Sequence, residues 1–186
     1  MSVAVDMVLV RHGPVAVEPG LCYGRLDVDP ACRPAGVVER VTAGLAGQPF
    51  TCLWTSPSRR CRLVAEMIGQ AFGRAPRVDG RLQELDFGRW EGRSWSGLPR
   101  AELDAWAANI EDGSPPDGET GACLVERVTA FRRTLATMSG PHVIVSHGGP
   151  LKVLSAVLRG RAADLLAPTA ALGSVEFIRL QAPRGS

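Results

Sequence analysis

Three short stretches of this sequence concentrate arginine or histidine: Val10-Arg11-His12-Gly13, Ser56-Pro57-Ser58-Arg59-Arg60 and Ser146-His147-Gly148-Gly149. Each follows a short apolar run. A neutral imidazole is a nucleophile or a proton carrier near neutral pH. An arginine fork donates two parallel hydrogen bonds to an oxyanion. Two histidines and two or more arginines gathered at one place repel each other and lose hydration unless an anion sits among them. A phosphoryl group, with its acceptor oxygens and its charge, suits that place. A fourth stretch, residues 82–92 (LQELDFGRWEG), adds three carboxyls, Glu84, Asp86 and Glu91. A protonated carboxyl can supply the proton that a leaving oxygen needs. Spacing leaves the choice among the three open. His142 has no comparable neighbours and reads as structural. Each motif alone is weak; their joint occurrence, each at a strand end, carries the argument.

Chemistry at strand ends needs a sheet to deliver it. Residues 3–10 alternate and then run apolar, as a buried strand does. Further strands are predicted at Phe50–Trp54, Arg77–Asp79, Val143–Val145 and Val175–Leu180. Helices are predicted from Pro34 through Leu45, around Val64 to Phe72, at 99–110, along Leu124 to Met138, and at Pro150–Leu158. Gly- and Pro-rich stretches at 13–32 and 112–121 read as loops, and 80–97 as mostly irregular. Strands alternating with helices imply an α/β fold with a largely parallel sheet. In such sheets ligands bind beyond the carboxyl ends of the strands, where all three arginine- and histidine-bearing turns would meet.

The bulk numbers set limits. Apolar residues are 45 % of the 186, charged residues 22 %, and the net charge is +2. That balance offers no electrostatic case for nucleic acid or a membrane surface. The single lysine, Lys152, against 20 arginines reads as GC-rich codon usage and says nothing about phosphate. Five cysteines without CxxC spacing argue against a zinc site or a disulfide framework and suit the cytoplasm. No cofactor and no metal is expected, and the expected partner is a small phosphate ester. Oligomeric state is not encoded in any pattern of the sequence. Residues 1–181 read as one domain with an insertion at about 89–120, and 182–186 as a disordered tail.

Taken together the motifs resemble the histidine phosphatase superfamily, also called phosphoglycerate-mutase-like, over nearly the whole chain. The resemblance rests on VRHG at 10–13, SPSRR at 56–60, ELDFGRWEG at 84–92, PDGET at 116–120 and SHGG at 146–149, in this order. It implies a three-layer α/β/α sandwich with a mostly parallel central sheet. It implies that His12 is the phosphohistidine nucleophile. Arg11, Arg60 rather than Arg59, and a charged His147 would hold the phosphoryl oxygens, and Glu84 would be the proton donor. Gly13, Gly24 and Gly148 are expected to let the backbone approach the substrate. Tyr23 and Trp95, set among glycines and polar residues, are expected to stack on a flat leaving group, while Trp90 and Trp106 pack. The segment PGLCYGRLDVDP at 19–30 looks most like the α-ribazole phosphatase branch. Broad-specificity phosphatases and phosphoglycerate mutases share the chemistry, and a non-catalytic phosphate-binding protein is a further alternative. Residues 14–20, PVAVEPG, depart from the family's usual Thr and phosphate-binding Asn. Ser58, Cys61 and Val64 replace its common Leu, Ala and Thr.

Overall fold

The computed structural model describes residues 6–180. At its centre is a five-stranded sheet in the order β3-β2-β4-β1-β5. The strands are β1 (Met7–Arg11), β2 (Cys52–Thr55), β3 (Pro76–Val78), β4 (His142–Ser146) and β5 (Val175–Ile178). All neighbours pair in parallel except β5, which runs antiparallel beside β1. The helices are α1 (Val37–Leu45), α2 (Arg59–Phe72), α3 (Arg100–Ala108), α4 (Gly121–Ala136) and α5 (Gly148–Leu158).

Side chains on a strand alternate between faces. Here that alternation divides the core in two. Met7, Leu9, Cys52, Trp54 and Ile144 pack on one face against Leu124, Val128 and Phe131 of α4 and Val153 and Leu154 of α5. Val8, Val10, Leu53, Val143 and Val145 pack on the other against Val37 and Val41 of α1 and Val64 and Ile68 of α2. A strand covered on both faces needs an unbroken apolar run, which is why these strands stood out in the sequence. The result is a three-layer α/β/α sandwich.

The boundaries differ from expectation where the site lies. β1 continues through Arg11, whose N–H donates to the Ser174 carbonyl at 3.0 Å. The expected residues 3–5 of that strand, and the expected tail at 182–186, lie outside the described residues. α1 begins at Val37, not Pro34, because Gly36 takes a left-handed conformation with φ of 66°. α5 begins at Gly148, with His147 as its extended cap residue. Between β3 and α4 the chain makes 3-10 turns at Gly80–Leu82, Gly88–Trp90 and Trp95–Gly97 before α3. That stretch carries a small core of its own, in which Cys22, Trp90 and Leu98 meet Phe87, Trp95, Leu103 and Trp106. β1, β2 and β4 all run the same way, so their carboxyl ends share one edge of the sheet.

Candidate active site

Arg11 and Ser146 are register partners at the ends of β1 and β4, so His12 and His147 leave the sheet side by side. Their ring centroids are 5.2 Å apart and the rings meet at 66°. Both are buried. His12 Nδ1 lies 2.7 Å from the Gly13 carbonyl oxygen. A carbonyl can only accept, so Nδ1 carries the proton and Nε2 keeps the lone pair. Burial lowers the His12 pKa to about 4; the Gly13 hydrogen bond opposes this, and the charges of Arg60 and Arg11 add to it.

His147 was expected to be charged, but its surroundings within the protein favour the uncharged ring. Ser56 Oγ lies 2.8 Å from its Nε2 and Cys61 Sγ 3.5 Å away. Burial, together with Arg60, His12, Arg127 and Arg11, holds it well below the ordinary histidine value. Cations, a hydroxyl and a thiol around the ring favour its neutral form. Burial also pushes the Cys61 thiol far above its usual range, so it is a packing neighbour and no nucleophile. Sequence reasoning gave Ser56 no role, although it opens the second motif.

The two arginines arrive by different routes. Arg11 ends β1 and donates Nη1 to Thr169 Oγ1 at 2.9 Å and to the Ala170 carbonyl. Arg60 sits in the first turn of α2 and is 1 % exposed. Its Nη1 and Nη2 donate to the carbonyls of Leu26 (2.7 Å) and Gly24 (2.6 Å). Its guanidinium lies 5.1 Å from the Tyr23 ring centroid. Among the described residues both arginines keep a buried Nε–H without an acceptor. Arg59, by contrast, faces outward and pairs with Asp29 at 2.8 Å. The amino ends of α2 and α5 open at this same edge, adding the positive ends of two helix dipoles.

The three carboxyls separate cleanly. Glu84 accepts from the N–H of Leu85 at 3.0 Å and of Gly149 at 3.2 Å. Burial pushes its pKa up; the two backbone hydrogen bonds and the charges of Arg11 and Arg60 pull it back only in part. A Cβ on Gly149 would lie 2.4 Å from Glu84 Oε1 and so would displace that carboxyl. Asp86 accepts from the Gly88 N–H and pairs with Arg25. Glu91 accepts from the N–H groups of Arg25 (2.7 Å), Leu26 (2.8 Å) and Phe87 (3.0 Å). Glu91 thus staples the 24–26 loop to the 84–91 segment and faces no histidine. Arg127, which the sequence did not single out, donates to the carbonyls of Arg81, Gln83 and Glu84 and forms a two-pronged pair with Glu119. Glu119 belongs to PDGET, so that motif holds the Glu84 backbone in place. Replacing Glu91 by alanine strips three backbone donors of their acceptor. Unfolding free energy should fall by about 2 kcal/mol, read from a urea titration; an unchanged midpoint would mean that the loop is held by other contacts.

The expected substrate-binding residues also make close contacts within the protein. A Cβ on Gly13 would meet Pro34 Cγ at 2.5 Å, and one on Gly148 would meet Thr169 Cγ2 at 2.8 Å and Arg11 Cζ at 3.2 Å. One on Gly24 would meet the Leu85 carbonyl at 2.8 Å, and its own carbonyl anchors Arg60. These glycines let Pro34, the Leu85 backbone, Thr169 and Arg11 pack closely against the chain. Tyr23 supports the Arg60 guanidinium. Trp95 packs edge-on against Phe87 at 5.2 Å and near Trp90 at 6.3 Å, because the 94–95 turn is tied to residues 20 and 21. The aromatic rings beside Glu84 are instead Phe87 and Trp106.

Comparison with known proteins agrees with this geometry. A profile of the histidine phosphatase superfamily (branch 1) matches residues 7–182. A protein of Hydrogenobacter thermophilus named as a candidate phosphoserine phosphatase is 31 % identical over 162 residues, covering 82 % of this chain and 77 % of that one. The adenosylcobalamin/alpha-ribazole phosphatase of Salmonella typhimurium is 28 % identical over 156 residues, covering 81 % and 77 %. The mycobacterial glucosyl-3-phosphoglycerate phosphatase, solved with inorganic phosphate, superposes with a TM-score of 0.76 at 26 % identity, covering 92 % and 88 %. A sheet edge carrying two adjacent histidines, two arginines and a buried carboxyl, and a profile match over nearly the whole chain, lead to one conclusion: this protein belongs to branch 1 of the histidine phosphatase superfamily and is a phosphoric monoester hydrolase.

Proposed function

We propose that the chain hydrolyses small phosphate monoesters in two steps through a phosphohistidine at His12, with no metal ion. The observation that carries this reading is the neutral His12 ring, pinned through Nδ1 to the Gly13 carbonyl with Nε2 left as the lone-pair atom. In the first step Nε2 attacks phosphorus in line, the Nε2–P bond forms and the bond to the leaving oxygen breaks. Arg11, Arg60 and His147 surround the equatorial oxygens, and a phosphoryl oxygen between the arginines supplies the acceptor that their Nε–H groups lack. Glu84, whose protonated form burial favours, gives its proton to the leaving alkoxide. In the second step Glu84 takes a proton from water, which attacks phosphorus and releases phosphate from Nε2.

The reading fixes the sign of the pH dependence. His12 must be neutral, so kcat/KM holds as pH falls until it approaches about 4. Glu84 must be protonated, so the rate falls as pH rises past its elevated pKa. An acid-shifted bell is the expected profile, measured with an alkyl phosphate in buffer containing EDTA. A rate that climbs through neutral pH, or vanishes with EDTA and returns with Mg²⁺, would overturn the reading.

For the substrate we infer α-ribazole 5′-phosphate or a monoester of a similarly flat alcohol, and for the location a reducing cytoplasm. The 19–30 segment and the similarity to the Salmonella alpha-ribazole phosphatase support the first; five free cysteines support the second. A phosphate-release screen over α-ribazole phosphate, phosphoserine, sugar phosphates and nucleotides tests the substrate. The highest kcat/KM on phosphoserine or glucosyl-3-phosphoglycerate would refute it.

A further inference from the structure

Beside Glu84 and Gly149 lies a cavity of about 150 Å³ whose walls include Phe87, Trp106, Ile110, Leu124 and Leu165. It borders the carboxyl of Glu84, the proton donor in the reading above, and Thr169, which accepts from Arg11. An apolar cavity of roughly this volume admits a benzene-sized ring. Phe87 and Trp106 hold each other edge-on at 6.0 Å, and Trp106 is further fixed against Trp90 at 5.6 Å. Two ordered aromatic walls suit a ring. The cation on the wall is Lys152, and its ammonium already donates to the carbonyls of Leu165 (2.9 Å) and Ala167. These contacts tie the 165–167 loop to α5. An acidic alcohol, such as that of phosphoserine or a phosphoglycerate, would lose its hydration among apolar walls. Two of the three Lys152 N–H donors are already committed to those carbonyls, so the ammonium has one left to offer a carboxylate.

We propose that this cavity is the leaving-group subsite and that it selects uncharged, ring-bearing alcohols while rejecting carboxylate-bearing ones. The proposal rests on the reading of His12 and Glu84 above. The test compares benzyl phosphate with O-phosphoserine; both are alkyl esters, so leaving-group acidity does not decide the outcome. Wild-type kcat/KM should favour benzyl phosphate by about tenfold or more. Trp106→Ala should raise KM for benzyl phosphate about tenfold, the scale of one aromatic contact, with methyl phosphate little changed. Ile110→Arg, at a partly exposed wall position, should narrow the gap by supplying a free cation. Equal or better use of phosphoserine by the wild type, or equal losses on benzyl and methyl phosphate in Trp106→Ala, would overturn the proposal. Calorimetric binding of benzyl phosphate and phosphoserine to His12→Ala separates the two readings. Tighter binding of benzyl phosphate there supports the subsite even if no phosphohistidine forms, and equal binding refutes it.

Discussion

Alanine at His12 will abolish turnover, with kcat falling by about 10⁴-fold or more, the scale on which a covalent nucleophile acts. Nε2 is the atom placed to attack, because Nδ1 is committed to the Gly13 carbonyl. Rapid quench of the wild type with labelled substrate should trap protein-bound phosphate that is acid-labile and alkali-stable, as a phosphoramidate is. His12→Ala should trap none. His142→Ala should trap as much as the wild type, since His142 enters β4 at the opposite end of the strand from Ser146. Label on a serine, or label persisting in His12→Ala with the fold intact by circular dichroism, would sink the mechanism.

Glutamine at Glu84 should divide the two half-reactions. It keeps an oxygen for the Leu85 and Gly149 N–H groups but carries no transferable proton. Hydrolysis of an alkyl phosphate should fall by about 10² to 10⁴-fold, the usual range for a general acid. p-Nitrophenyl phosphate needs no proton on its leaving oxygen, so its phosphoryl transfer should persist. Water attack on phosphohistidine would then lack its base. The expected signature is a burst of p-nitrophenol equal to the enzyme concentration, followed by slow turnover and accumulated label on His12. The fall in rate at alkaline pH should disappear as well. Equal losses on both esters, without a burst, would show that Glu84 shapes the site and moves no proton.

Period and composition made much of this protein legible before any coordinates. The largely apolar runs at 3–10, 50–54 and 143–145 announced buried strands, since periodicity is local and burial on two faces leaves little room for polar positions. The turns that end those strands displayed Arg11, His12, Arg60 and His147, because parallel strands must present their carboxyl ends together. Tertiary structure decided the matters that depend on partners far apart in the chain. Glu84 and Glu91 are alike in type and seven positions apart, yet one meets Gly149 and the other the backbone of residues 25 and 26. Only packing between α5, the 24–26 loop and the 84–91 segment tells them apart. The surroundings that lower the pKa of His147 come from residues 11, 12, 56, 60, 61 and 127, and no local pattern encodes that company. Trp95 sits among polar neighbours in sequence but joins Phe87 and Trp90 in space. Trp106, which was expected simply to pack, forms a wall beside Glu84. A side chain's type is written locally, but its charge and its contacts are set by burial and by neighbours that only the folded chain brings together.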